Sequence, residues 1–189
     1  MSKKPKLTLD QLPDRCQAIA EGTRTMFEHT GGVVPLVDFL DSEGNHCLVD
    51  IEPIAVILGK DALATLIQQI IRTGAQDLAM VTEASMVIVH KDHLDEAAQD
   101  AKQGQLGSRP DAFDVVAITY ATPTLEYALT AKIKRSPKRR PSLGAWEILV
   151  TDNSDPANRH KARFSNLWPQ ATDAHIAGLG NIKSQPSQN

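Results

Sequence analysis

Three extended runs follow one another with no helix between them: "FDVVAITYA" (113–121), "TLEYALTAKIK" (124–134) and "GAWEILV" (144–150). A parallel pairing needs a crossover of a dozen or more residues, whereas an antiparallel one closes through a short turn. Runs this close together therefore read as an antiparallel sheet, and they exclude a fold in which strands and helices alternate throughout. The middle run shows the period of a half-buried strand. Leu125, Tyr127, Leu129, Ala131 and Ile133 fall on one face, and Glu126, Thr130, Lys132 and Lys134 on the other. Thr122–Pro123 marks the first turn, and the basic stretch "KIKRSPKRRP" (132–141) makes the second.

Upstream, the period changes twice. "TLDQLPDRCQAIAEGTRTMFEHTGG" (8–32) reads as a helix with a capping-box pattern at Thr8 and Gln11, Pro13 in its first turn and a glycine stop. "VVPLVDFLDSEGNHCLVDIEP" (33–53) reads as a hairpin turning at Ser42–Asn45, and Pro35 predicts an edge position for its first strand. "KDALATLIQQIIRTG" (60–74) carries an apolar stripe at helical spacing, while the preceding "IAVILG" fits either a helical turn or a buried connection. "QDLAMVTEASMVIVH" (76–90) is apolar enough for a central strand covered on both faces, and "DHLDEAAQDAKQG" (92–104) suggests a short exposed helix with Asp92 as its N-cap. The expected architecture is α+β: a mainly antiparallel sheet of about six strands with two amphipathic helices packed on one face. Residues 1–8 read as a flexible start, 9–150 as one domain, and 151–189 as a polar, partly disordered tail in which Phe164, Leu167 and Trp168 would clip back onto the body.

At 189 residues the chain can bury a core without metal or disulfide staples. Aromatics make up only 4%, so aliphatic side chains must do most of the packing. Cys16 and Cys47 form no metal-binding array and read as small buried hydrophobes. No apolar segment follows the basic "MSKKPK", and no apolar run is long enough to cross a bilayer, so a soluble, cytoplasmic protein is expected.

Charge is concentrated in one place. Setting aside Lys132, Lys134, Arg135, Lys138, Arg139 and Arg140 leaves 14 cations against 23 acids, so an acidic body carries one basic spot. Such a spot would contact phosphates with salt-dependent affinity, or an acidic protein surface, or simply stay solvated and guard a sheet edge. It contains no aromatic residue for base stacking, and no nucleic-acid-binding motif accompanies it.

Candidate chemistry is sparse. Glu83 lies in an apolar strand, where an ionised carboxylate is costly unless paired, so a pocket flanked by Thr82 and Ser85 or a water-facing strand end would explain it. Asp38, Asp50 and Glu52, on or beside the first hairpin, would join Glu83 in a divalent-metal nuclease or other hydrolase. The one acid-x-Lys triplet, Asp100–Ala101–Lys102, falls in the exposed helix rather than on a strand. His90 and His93 are spaced for one helical turn but have no third ligand. Nucleophile-elbow, phosphate-loop, dinucleotide and kinase signatures are missing, and no cofactor is expected.

The order from "GGVVPLVDFLDSEGN" through "RTGAQDLAMVTEASMV" resembles a family of small uncharacterised bacterial and phage proteins, in which a glycine-turn hairpin leads to a helix and then to a strand ending in a Ser-Glu-Ala-Trp-like motif. The matching positions here are Thr82, Glu83, Ala84 and Ser85, without the aromatic. The resemblance spans roughly residues 31–150 and implies a mobile-element or accessory-gene setting, with no activity attached. The expected function is contact: a non-enzymatic accessory protein that binds a protein or nucleoprotein partner, nucleic-acid phosphates included, through the basic hairpin and has no membrane role.

Overall fold

The computed structural model describes residues 7–136 and 138–152. Helix α1 (Asp14–Thr30) leads into β1 (Leu36–Leu40) and β2 (His46–Asp50). Helices α2 (Glu52–Ile57) and α3 (Lys60–Arg72) follow, then β3 (Asp77–Met86) and α4 (Leu94–Lys102). The last described elements are β4 (Phe113–Ala121), β5 (Leu125–Ser136) and β6 (Arg139–Asp152). The six strands form one antiparallel sheet in the order β2-β1-β3-β4-β5-β6. The α+β class and the antiparallel sheet are as the sequence predicts. No helix among the described residues is long and apolar enough to cross a membrane.

The helices do not share a face. Side chains alternate along β3, so Leu78 and Met80 join Leu63, Ile67, Ile70 and Ile71 of α3, while Ala79 and Val81 join Cys16 and Ala20 of α1. The reason lies in the strand order. β2 and β3 flank β1 and run parallel to each other, so the chain joining them must pass over β1. Helices α2 and α3 make that crossing on the Val37 side and leave the other side to α1. β3 is thus covered twice along Asp77–Val81, and from Glu83 its side chains become more exposed.

Proline decides several boundaries. Pro13 stands at the N-cap of α1, so the residues before it form a separate 3-10 turn, Leu9–Gln11. The Gln11 side chain accepts the Thr8 N–H (2.9 Å), so that pairing closes the small turn rather than the long helix. α1 ends as expected at Gly31, whose φ of 81° suits a residue without Cβ. Pro35 precedes β1 and does not lie on an edge; β1 is interior and β2 is the edge. Its carbonyl accepts the Ile51 N–H (3.0 Å), and the Ile51 carbonyl, which a Pro35 N–H would otherwise have served, accepts the Ala55 N–H of α2 (2.9 Å), so the missing donor leaves no acceptor unpaired there. The ambiguous "IAVILG" segment contributes most of α2, separated from α3 by Gly59 (φ 82°). His93, not Asp92, holds the N-cap of α4, and Asp92 lies in the 3-10 turn before it. Glu126, expected to face water, is buried beside Ala121 of the α3-side core.

One polar cluster interrupts the α1-side core. Asp77, 6% exposed, accepts Arg15 Nε (2.8 and 3.0 Å), the Tyr120 hydroxyl (2.8 Å) and the Leu40 N–H (3.2 Å). Asp38 meets Arg15 Nη2 and His46 Nε2, both at 2.6 Å. Burial works against the Arg15 charge, but the hydrogen bonds it donates to Asp38 and Asp77 outweigh it and hold the guanidinium pKa above its ordinary value. Burial, with the Asp77 bond, also pushes the Tyr120 phenol up.

The two cysteines part company. Cys16 is fully buried, and burial pushes its thiol up to about 12, whereas Cys47 is partly exposed on β2. In the native protein near pH 8, Cys47 should react readily with an aromatic disulfide reagent and Cys16 only after denaturation. Two fast thiols per native chain would contradict the packing of α1.

Candidate functional site

β5 and β6 outrun the rest of the sheet. The β4–β5 ladder ends at Val115↔Lys132, yet β5 and β6 stay paired through Ile133↔Leu143, Lys134↔Ser142 and Ser136↔Arg139. The basic stretch is therefore not a long loop. Its cations ride on a two-stranded arm that extends past β4 and is bent by register shifts at Ala131/Ile133 and Lys134/Ser136. The arm is seated from below: Ile133 and Leu143 pack with Phe27 of α1. Arg24 of α1 donates to the carbonyls of Gly144 (2.7 Å) and Leu143 (3.3 Å) and lies 5.5 Å from the Trp146 ring centre.

The cations differ in their surroundings. Lys132 Nζ sits 4.4 Å from the centre of the Phe113 ring. Arg135 bridges Glu83 (3.6 Å) and Asp114 (3.5 Å) at an exposed position. Arg140 reaches the His29 carbonyl at 3.5 Å. Lys134 and Lys138 are exposed near the tip, and the Arg139 side chain lies outside the described part of the chain. Lys132 and Lys134 also line a groove of about 550 Å³ with Phe113, Met86 and Ile88. The basic stretch has no aromatic of its own, but the fold brings Phe113 to it from β4.

Beside the arm lies an acidic cavity of about 500 Å³, lined by Glu83, Ser85 and Asp114 and closed by the segment after α4. Glu83 faces the α1 side; its Oε1 accepts the Val33 N–H (3.0 Å) and its Oε2 meets Arg135, so the carboxylate is partnered without deep burial. Gly107 approaches Ser85 so closely that a Cβ there would lie 2.8 Å from the Ser85 hydroxyl. Thr82 points to the opposite face and takes no part in this cavity.

The first-hairpin acids do not come to Glu83. Asp50 lies opposite Leu36, which lies opposite Val81, so two strands and a further pleat separate it from Glu83, roughly 12 Å by ordinary sheet spacing. Its Oδ1 accepts the Glu52 N–H (3.0 Å), which closes the turn into α2. Asp38 is held by Arg15 and His46. His90 and His93 each turn to a carboxylate of their own, Asp92 (3.0 Å) and Glu96 (3.6 Å). Among the described residues no three His, Cys, Asp or Glu side chains gather in a way that would hold a metal ion.

No sequence family, curated protein or solved structure matches this chain. What the sequence hid is the company the cations keep. Phe113, Asp114 and Glu83 belong to other strands, and only the ladder registers bring them to the arm.

Proposed function

We propose that this chain is a non-enzymatic accessory protein of the cytoplasm that binds a protein or nucleoprotein partner through the β5–β6 arm. The observation that carries this reading is the projection of the arm: Lys134, Arg135, Lys138 and Arg140 lie past the last β4–β5 pair, where a partner meets them before it meets the acidic body. Exposed ion pairs contribute little, so the long contacts of Arg135 to Glu83 and Asp114 exchange readily for a partner's phosphates or carboxylates. The mixed field of basic arm and acidic body favours an oriented encounter with a partner of complementary charge. A mobile-element setting, in which such a protein blocks or assists host machinery, accords with the resemblance in residues 31–150.

The test compares the full chain with a Lys134→Ala/Lys138→Ala/Arg140→Ala variant. Partners recovered from the native host by cross-linking should be lost from the variant, while its melting temperature stays close to that of the parent. If the partner presents nucleic-acid phosphates, the slope of log affinity against log salt should become shallower by about one for each phosphate contact removed. Equal recovery, with an unchanged salt slope, would overturn the assignment of the arm.

A further inference from the structure

Among the described residues β2 is a sheet edge, and its outward backbone can be read from its inward one. Bonded antiparallel pairs alternate with non-bonded pairs. The Asp41 N–H donates to the Asn45 carbonyl and the Ile51 N–H to the Pro35 carbonyl, both at 3.0 Å, so the odd-numbered residues of β2 serve the β1 ladder. His46, Leu48 and Asp50 therefore turn their N–H and C=O groups away from the sheet. The same three residues carry the exposed side chains of the strand. Leu48, at the midpoint, is 63% exposed. A large apolar side chain at the centre of an open edge is what folded proteins ordinarily avoid. Immediately after the strand, α2 leaves Val56 and Ile57 each 76% exposed.

We propose that the occupant of this edge is a second copy of the chain, paired antiparallel through β2 about a two-fold axis at Leu48. The charge pattern selects both partner and register. With the axis at Leu48, leucine meets leucine, and His46 of each copy, whose Nε2 is held by Asp38 of its own chain, comes opposite Asp50 of the other, so unlike groups and not like ones face each other. Centring on Asp50 would oppose two carboxylates, and centring on His46 two imidazoles. Axes at Cys47 or Val49 would set Leu48 against a charged or polar neighbour. The centred register also matches every outward N–H with an outward C=O, and it joins two six-stranded sheets into one continuous sheet with a self-complementary interface. The strand is short, so registers other than the centred one gain few hydrogen bonds, and pairing stays specific.

This register places native Cys47 opposite Val49 of the other copy, a non-hydrogen-bonded pair with Cα atoms about 4.5 Å apart, within reach of a disulfide. The full chain should sediment as a dimer whose melting temperature rises with concentration, and Leu48→Lys, at an exposed position, should sediment as a monomer with near-native circular dichroism and a concentration-independent melt. Val49→Cys should form a covalent dimer under mild oxidation, and Val49→Cys/Cys47→Ser should not. Because Val49 is partly packed into the core, near-native circular dichroism of the two cysteine variants accompanies the assay, and Leu48→Lys gives a reading independent of them. A wild-type chain that stays monomeric into the submillimolar range overturns the proposal. So does cross-linking that persists without Cys47, which would place the axis at Val49, and so does a monomer that instead captures an isolated strand peptide of unrelated sequence.

Discussion

Asp77→Ala should lose about 3–5 kcal/mol of stability, the cost of removing one partner from a buried charge pair. The carboxylate is 6% exposed and receives Arg15, the Tyr120 hydroxyl and the Leu40 N–H. Its removal leaves the Tyr120 phenol and the Leu40 amide without their partner and leaves the Arg15 guanidinium with Asp38 alone, so desolvation goes uncompensated at the first two and is only half compensated at the third. For a chain of this length the melting temperature should fall by roughly 10 °C or more. Denaturant unfolding of Asp77→Ala, Arg15→Ala and the double variant measures the coupling directly. The double variant should cost less than the sum of the singles, since Asp77 is no longer left without Arg15, although Asp38 then keeps only His46. A single-variant loss under about 1 kcal/mol, the range of surface ion pairs, would mean that the cluster is wetter than its geometry indicates.

Phe27→Ala should have an effect of similar size for a different reason. Phe27 is fully buried at the C-terminal end of α1 against Val116, Ala131, Ile133 and Leu143, and truncating a buried phenylalanine ordinarily costs about 3–5 kcal/mol. Two of those neighbours, Ile133 and Leu143, form the base of the basic arm, so the cavity opens where the arm is anchored. The unfolding midpoint should fall, and limited proteolysis should begin within the β5–β6 arm before the body is cut. Phe27→Leu, which keeps most of the volume, should lose markedly less. Cleavage elsewhere first would show that the arm does not depend on its seat beneath α1.

Much of the fold was legible because its signals are local. Alternation over Leu125–Lys134 assigned each side chain of β5 to its face, and the Leu63–Ile71 stripe located α3. The uninterrupted apolar start of β3 announced a strand covered twice, and that reading already conflicted with placing both helices on one face. What remained hidden depends on partners distant in sequence. Arg15 and Asp77 are 62 positions apart, and neither shows by its neighbours that it will be paired. Pro35 suggests an edge because a missing donor is visible in sequence, whereas the Ala55 amide that takes its place at the Ile51 carbonyl is not. Glu83 was singled out correctly as an acid in need of explanation, but the explanation came from Val33 and Arg135 on other elements. The arm's cations were plain in the sequence; their placement beyond β4 follows from ladder lengths, which periodicity does not fix.

The seat of α1 also constrains how the protein is made. Arg24 bonds to carbonyls 119 and 120 residues downstream, and Phe27 packs against residues of β4, β5 and β6. A chain that leaves the ribosome from its amino end presents this helix early and completes its docking surface only when β6 has been synthesised. Until then the Phe27 end of α1, unlike the Cys16–Ala20 end that β3 covers earlier, lacks its apolar neighbours, and the nascent chain carries exposed apolar surface of the kind that favours aggregation.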